Sequence, residues 1–173
     1  MAFNHRADLN PHQQYRIKKL KRELNRAETY AEWKEIALSL DQETGAQEWK
    51  YANSSPYFDA EIISHRLNML RRYKLQNRVV DLIYILREGL SHDVANIGHP
   101  MLFTQTYVGT KKIIEDYIHE VCESLIFIAS QKCDSLSIKE KIDFFQNCQL
   151  AYGQPAMMFS GGASLGLFHT GVC

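Results

Sequence analysis

The stretch TKKIIEDYIHEVCESLIFIA at residues 110–129 decides the fold. Within it Ile113, Ile114, Tyr117, Ile118, Val121, Cys122, Leu125 and either Ile128 or Ala129 recur in steps of three and four. That spacing lays them along one wide apolar face of a helix with about 3.6 residues per turn. Thr110, whose hydroxyl can accept from the unpaired N–H groups of a first turn, reads as the N-cap. A face this wide must be covered by other elements, so the helix is expected at the centre of a helical bundle.

Upstream the same period runs from residue 13. Ile17, Leu20, Leu24 and Ala27 share a narrow stripe, while Arg16, Lys18, Lys19, Lys21, Arg22 and Arg26 fill the other faces. Thr29 with Glu32 has the spacing of a capping box and opens a second helix with Tyr30, Trp33, Ile36, Ala37 and Leu40 on one face, ending over residues 41–45. After a short segment around Trp49, the run Asn53-Ser54-Ser55-Pro56 reads as a turn and helix start, with Pro56 in the first turn. Ile62, Ile63, Leu67, Leu70 and Tyr73 continue that helix. A break near Gln76 precedes a further one carrying Val79, Leu82, Ile83 and Leu86.

Between residues 89 and 109 the periodicity fades around Gly98-His99-Pro100, which predicts a long ordered loop with room for a turn of helix. Downstream, Ser137 and Glu140 form another capping box, Ile142, Phe144, Phe145 and Cys148 supply an apolar face, and Gly153 with Pro155 stops the helix. Strand character begins at Ala156. The expected organisation is a flexible N-terminus over residues 1–12, a helical domain over 13–153, and, over 154–173, a strand, a glycine turn and the start of a helix. The fold class is mainly α, with the truncated opening of an α/β domain at its end.

Composition narrows the function classes. The 173 residues are 45% hydrophobic and 23% charged, and 20 basic side chains balance 20 acidic ones. Such a chain can bury a core, and its neutral balance gives no general field for nucleic acid. Cys122, Cys133, Cys148 and Cys173 lack ligand pairing and disulfide density, which points to a reducing compartment. His5, His12, His65, His92, His99, His119 and His169 show no metal-ligand spacing, so no metal is expected. Neither a signal-type apolar region nor a run approaching the roughly 18 apolar residues of a spanning helix occurs.

The segment Ser160-Gly161-Gly162-Ala163-Ser164-Leu165-Gly166 lies between the strand and the helical spacing that follows it, and admits several readings. Residues 162–166 match the G-x-S-x-G elbow of serine hydrolases, but only His169 follows Ser164 and no acid does, so the usual partners of an elbow serine are missing. An oxyanion turn asks less. Gly161 and Gly162 permit close backbone approach, and the N–H groups near Gly162 and Ala163, with the positive end of a helix dipole, would face a developing negative oxygen. A dinucleotide or phosphate loop would need Gly in place of Ala163 or a Lys after Gly166. A tight turn without any ligand is the fourth reading.

This segment, with Phe168-His169 and Gly171-Val172, closely resembles the opening strand and oxyanion turn of patatin-like acyl hydrolases. Upstream, Trp33, Leu40-Asp41, Trp49-Lys50, Tyr57, Asp59, Arg66-Leu67, Leu86-Arg87, Gly109-Thr110-Lys111, Glu115, Tyr117, Glu120-Val121 and Phe144-Phe145 resemble the helical N-terminal domain of unknown function that precedes patatin in triacylglycerol lipases of fungi, plants and some bacteria. The likeness covers residues 28–173.

It implies a parent enzyme that hydrolyses acylglycerol or phospholipid esters with a Ser-Asp dyad and no metal or cofactor. The family's nucleophile lies in a later G-x-S-x-G, and its aspartate in an Asp-Gly pair beyond that. By the resemblance Gly161, Gly162 and Gly166 are oxyanion-turn glycines, Ala163 stands where Gly is frequent but keeps its N–H, and Ser164 is a bystander. The dyad is expected beyond Cys173, so these 173 residues are expected to be inactive by themselves. The implied partner is a lipid substrate at a membrane or lipid-droplet surface, reached by a cytoplasmic, peripherally associated protein.

Arg16, Lys18, Lys19, Lys21 and Arg22 are the candidate lipid-surface contacts, because cations flanking an apolar stripe suit an anionic interface. A solvated helix face explains the same residues, and Arg66, Arg71, Arg72, Lys74 and Arg78 pose the same choice. The reading from another class is a non-catalytic helical module that docks a protein or a membrane surface.

Overall fold

The computed structural model describes residues 10–52, 54–89, 94–131 and 136–153, with the side chain of Tyr152 left out. It is mainly helical, with no strand among the described residues. Seven α-helices follow one another: α1 Pro11–Leu24, α2 Tyr30–Glu43, α3 Ala46–Tyr51, α4 Ala60–Leu75, α5 Val79–Glu88, α6 Lys112–Ser130 and α7 Ile138–Tyr152. Between α5 and α6 lie two single 3-10 turns, Val94–Asn96 and Pro100–Phe103. The strand, glycine turn and helix expected over 154–173 fall outside the described residues, as do residues 1–9 of the expected flexible N-terminus.

Helix boundaries follow local chemistry. Asn10 with Gln13, Thr29 with Glu32, and Ser137 with Glu140 each close a reciprocal capping box, two of which were legible from spacing. The helix start expected at Pro56 is displaced. Asp59 is the N-cap of α4 and accepts from Glu61 N and Ile62 N at 3.0 Å, because its carboxylate can reach two free donors and a proline ring cannot. Thr110 is likewise not the cap of α6, which begins after Lys111. Its hydroxyl instead donates to Leu102 O at 2.6 Å, pulling the second 3-10 turn against α6.

The core lies between α4, α5, α6 and α7. Ile63, Leu67 and Leu70 of α4, Val79, Leu82, Ile83 and Leu86 of α5, and Ile114, Tyr117 and Ile128 of α6 join Leu102, Phe144 and Cys148 in one buried cluster. Each large apolar side chain taken out of water contributes about 1.5–3 kcal/mol before the cost of ordering it. Helix α6 packs against α3, α4 and α5, as expected of a central helix.

The faces are rotated from their predicted centres. Ile62, Ile118 and Ile142 are about half exposed, Cys122 is exposed, and Tyr30 keeps 72% of its surface while stacking on Trp33. Glu120 and Ser124 occupy buried positions of α6 in their place. An apolar arc states which side of a helix can be buried, whereas the neighbours decide how much of that arc is covered.

Candidate functional site

The five predicted lipid-contact cations all lie on α1, which has no buried residue. Their stripe partners Ile17, Leu20, Leu24 and Ala27 are half-buried, and α1 packs against α2. An interfacial helix inserts its apolar face, so a stripe turned onto α2 leaves α1 only its charges for an outside partner. Arg16 Nη1 donates to Glu43 Oε1 at 3.0 Å and Lys19 Nζ lies 3.7 Å from Glu23 Oε1. Lys18, Lys21 and Arg22 are exposed and unpaired among the described residues. The structure therefore separates Arg16, which ties α1 to α2, and Lys19, paired within α1, from three cations without an acidic partner among the described residues.

Gly161, Gly162, Ala163 and Gly166, together with Ser164, lie outside the described residues. The described residues bring together a different polar cluster, where α2, α3 and the loop before α6 meet. Buried Asp41 accepts from Tyr107 N at 2.7 Å and from Val108 N at 3.0 Å, so both carboxylate oxygens serve one turn of backbone. Lys50 Nζ donates to Val108 O at 2.9 Å and stands 3.2 Å from Glu115 Oε1, which also accepts from Thr110 N at 3.0 Å. Gly109 adopts a φ of +75°, and a Cβ there would sit 2.0 Å from Glu115 Oε1. Any other residue at 109 would both strain the backbone and displace the acid.

Lys111 completes this clasp. It is only 1% exposed, and its ammonium donates to Trp49 O at 2.6 Å and Ala52 O at 2.8 Å, 4.3 Å from the centre of the Trp49 ring. Burial pushes its pKa down, while the carbonyls and the ring face of the indole stabilise the charge that remains. The donors of Lys111 are turned inward, so Gly109-Thr110-Lys111 forms a structural clasp. Sequence reasoning named Asp41 only as part of the family resemblance and gave it no structural role, although a signal was present. Asp41 falls one step beyond Ala37 and Leu40 on the buried face of α2, where an unpaired carboxylate would be costly.

A second buried acid joins α4 to α6. Glu120 pairs with Lys74 and accepts from Arg71 Nε at 3.3 Å, while the fully buried Ser124 hydroxyl one turn on has no partner among the described residues. Ser137 Oγ donates to Glu140 Oε2 at 2.7 Å, and these contacts hold the Glu140 carboxyl below its usual range. The same hydroxyl accepts from Glu140 N, so it belongs to a capping box. His99 stacks on Tyr57 and accepts from Met101 N at 3.2 Å. Among the described residues no three His, Cys, Asp or Glu side chains gather as a metal site would require.

One open depression of about 400 Å³ is lined by Ala60, Glu61, Ser64, His65, Asn68 and Ile113. Its polar side chains come from successive turns of a single helix and carry no buried, oriented base. The charged groups that are buried serve to hold helices and loop together. No described helix is long and apolar enough to cross a membrane.

The sequence matches the family described as a domain of unknown function, DUF3336, over residues 11–150. It is 33% identical over 144 residues to triacylglycerol lipase ptl1 of Schizosaccharomyces pombe, covering 83% of this chain and 26% of that protein. It is 34% identical over 158 residues to triacylglycerol lipase SDP1L of Arabidopsis thaliana, covering 91% of this chain and 19% of the relative. A patatin-like phospholipase domain-containing protein of Cryptococcus neoformans is 33% identical over 154 residues, 89% of this chain and 18% of its own length. The chain thus spans about a quarter or less of these relatives. No solved structure matches.

Proposed function

The chain belongs to the DUF3336 family, and from that premise we propose that it is the helical N-terminal portion of a patatin-like acyl ester hydrolase acting on triacylglycerol or phospholipid. One observation carries the reading. Similarity to proteins named triacylglycerol lipase extends over most of the chain and is joined, in the same sequence, to the glycine segment at 160–166.

In this reading the N–H groups near Gly162 and Ala163 stabilise the oxyanion that forms when a nucleophile attacks the ester carbonyl. A well-placed donor of this kind contributes about 3–4 kcal/mol to the transition state. The attacking serine and its aspartate are expected beyond Cys173, with neither metal nor cofactor. The protein works peripherally, from the cytoplasmic side of a membrane or lipid-droplet surface, and the free cations of α1 supply an electrostatic contact with that surface.

The test compares this chain with the protein extended through its downstream coding sequence, using a fluorophosphonate probe and a soluble short-chain ester. The extended protein is expected to label at a serine in a later G-x-S-x-G and to hydrolyse the ester, while residues 1–173 do neither. Labelling of Ser164 in the short chain would make that residue the nucleophile. A downstream sequence without G-x-S-x-G and Asp-Gly would favour the non-catalytic docking module, for which the three unpaired cations of α1 already speak.

A further inference from the structure

The α4–α5 turn presents an apolar residue to solvent in a setting that packing does not explain. Leu75, the last residue of α4, is 86% exposed. The turn itself is tightly bonded: Gln76 N donates to Arg72 O at 3.0 Å, Asn77 N to Lys74 O at 3.1 Å and Arg78 N to Tyr73 O at 2.9 Å. Asn77 takes a φ of +53°, which completes the reversal. Leu75 is therefore held outward by an ordered turn.

Cations surround it in sequence. Arg71, Arg72 and Lys74 precede Leu75 in the last turns of α4, and Arg78 begins α5 with its guanidinium 4.8 Å from the Tyr73 ring centre. Glu120 pairs with Arg71 and Lys74, and Asp81 accepts from Arg78 at 2.8 Å. Two acids thus answer four cations, and exposed Arg72 has no acidic partner among the described residues. Val80 and Tyr84, one helical turn apart on α5, are both more than half exposed.

We infer that this turn is a membrane-contact tip that places Leu75 at the acyl boundary of an anionic phospholipid surface while Arg72 and its neighbours meet the headgroup phosphates. A protruding leucine suits a deformable lipid boundary, where apolar insertion and headgroup attraction add. Tyr84 has the amphipathic ring that favours such a boundary. Leu150 and Ile138 are nearly as exposed, but neither stands among four cations. The inference rests on the proposed lipid-surface reading only in its choice of surface.

The test is co-sedimentation of the whole chain with vesicles of phosphatidylcholine, alone or containing phosphatidylserine. Binding is expected only to the anionic vesicles and should fall as salt rises. Leu75→Asp and Leu75→Ser should weaken it by about tenfold, and Arg72→Gln by about fivefold, with unchanged thermal unfolding. Leu75→Trp should gain a blue-shifted emission component with vesicles that brominated lipid quenches.

Three outcomes overturn the tip: no binding by the unsubstituted chain; binding unchanged in both Leu75→Asp and Leu75→Ser; or loss of binding only in a Lys18→Gln, Lys21→Gln, Arg22→Gln variant, which would assign the surface to α1. Self-association that Leu75→Asp abolishes while vesicle binding stays constant would make the turn a contact between copies. Hydrolysis of the soluble ester by the extended protein is read without vesicles, so failure of the tip and failure of the hydrolase reading remain distinguishable.

Discussion

Helices α1 and α6 are both amphipathic, yet one has no buried residue and the other buries five. Helix α1 rests a half-buried stripe on α2 and leaves a cationic face in water, whereas α6 is packed by α3, α4 and α5. An isolated helix of α1's length is marginal in water, so its caps and its partner carry a larger share of its stability. The difference teaches that a periodic stripe permits burial, while its extent depends on how many neighbours converge on it.

The strongest challenge to this contrast is a pair of cavity substitutions. Leu82→Ala, in the packed body, should cost about 2–5 kcal/mol of unfolding free energy in urea, and Leu20→Ala on α1 about 1 kcal/mol. Equal losses would show that hairpin and body share one level of packing. Next, Asp41→Ala should cost about 1–3 kcal/mol, because Tyr107 N and Val108 N lose their acceptors. Hydrogen exchange should quicken at those two amides first; uniform quickening would mean that Asp41 supports the whole body and not one loop.

Lys111 sharpens the contrast through pH. Its folded pKa lies below the ordinary lysine value, so the unfolded chain binds more protons between the two. Its charge therefore opposes folding at neutral pH, and this penalty fades as pH rises through the folded value toward the unfolded one. Relative to Lys111→Met, the parent chain should gain stability with rising alkaline pH; parallel melting curves across that range would refute it. Thr29→Ala should cost about 1 kcal/mol by removing the cap of α2. Smallest of all, Arg16→Ala should cost at most about 0.5 kcal/mol of unfolding free energy in urea, since the arginine side of its ion pair with Glu43 is largely solvated.

Much of the helical architecture was legible. The capping boxes at Thr29 and Ser137, the break at Gln76, and the buried positions Val79, Leu82, Ile83 and Leu86 follow from local spacing that a helix cannot avoid expressing. The loop around Gly98-His99-Pro100 was legible through its loss of period, although its described part holds two 3-10 turns where one turn of helix was expected. The clasp was less so. Asp41 meets Tyr107 and Val108 across more than sixty positions, and Lys111 meets Trp49 and Ala52 across a similar span. Such pairings leave no local period; their trace is a charged residue on a face that should be apolar.

The sequence alone determined the caps at Thr29 and Ser137, the break at Gln76, which faces could be buried, and the family likeness, because each resides in neighbouring residues. Tertiary structure decided that the α1 stripe turns onto α2, that Glu120 and Ser124 take core positions of α6, that Lys111 is buried beneath Trp49, and that Leu75 stands exposed among cations. Those outcomes depend on which distant surfaces meet, and burial, hydrogen-bond satisfaction and charge pairing are settled only when they do.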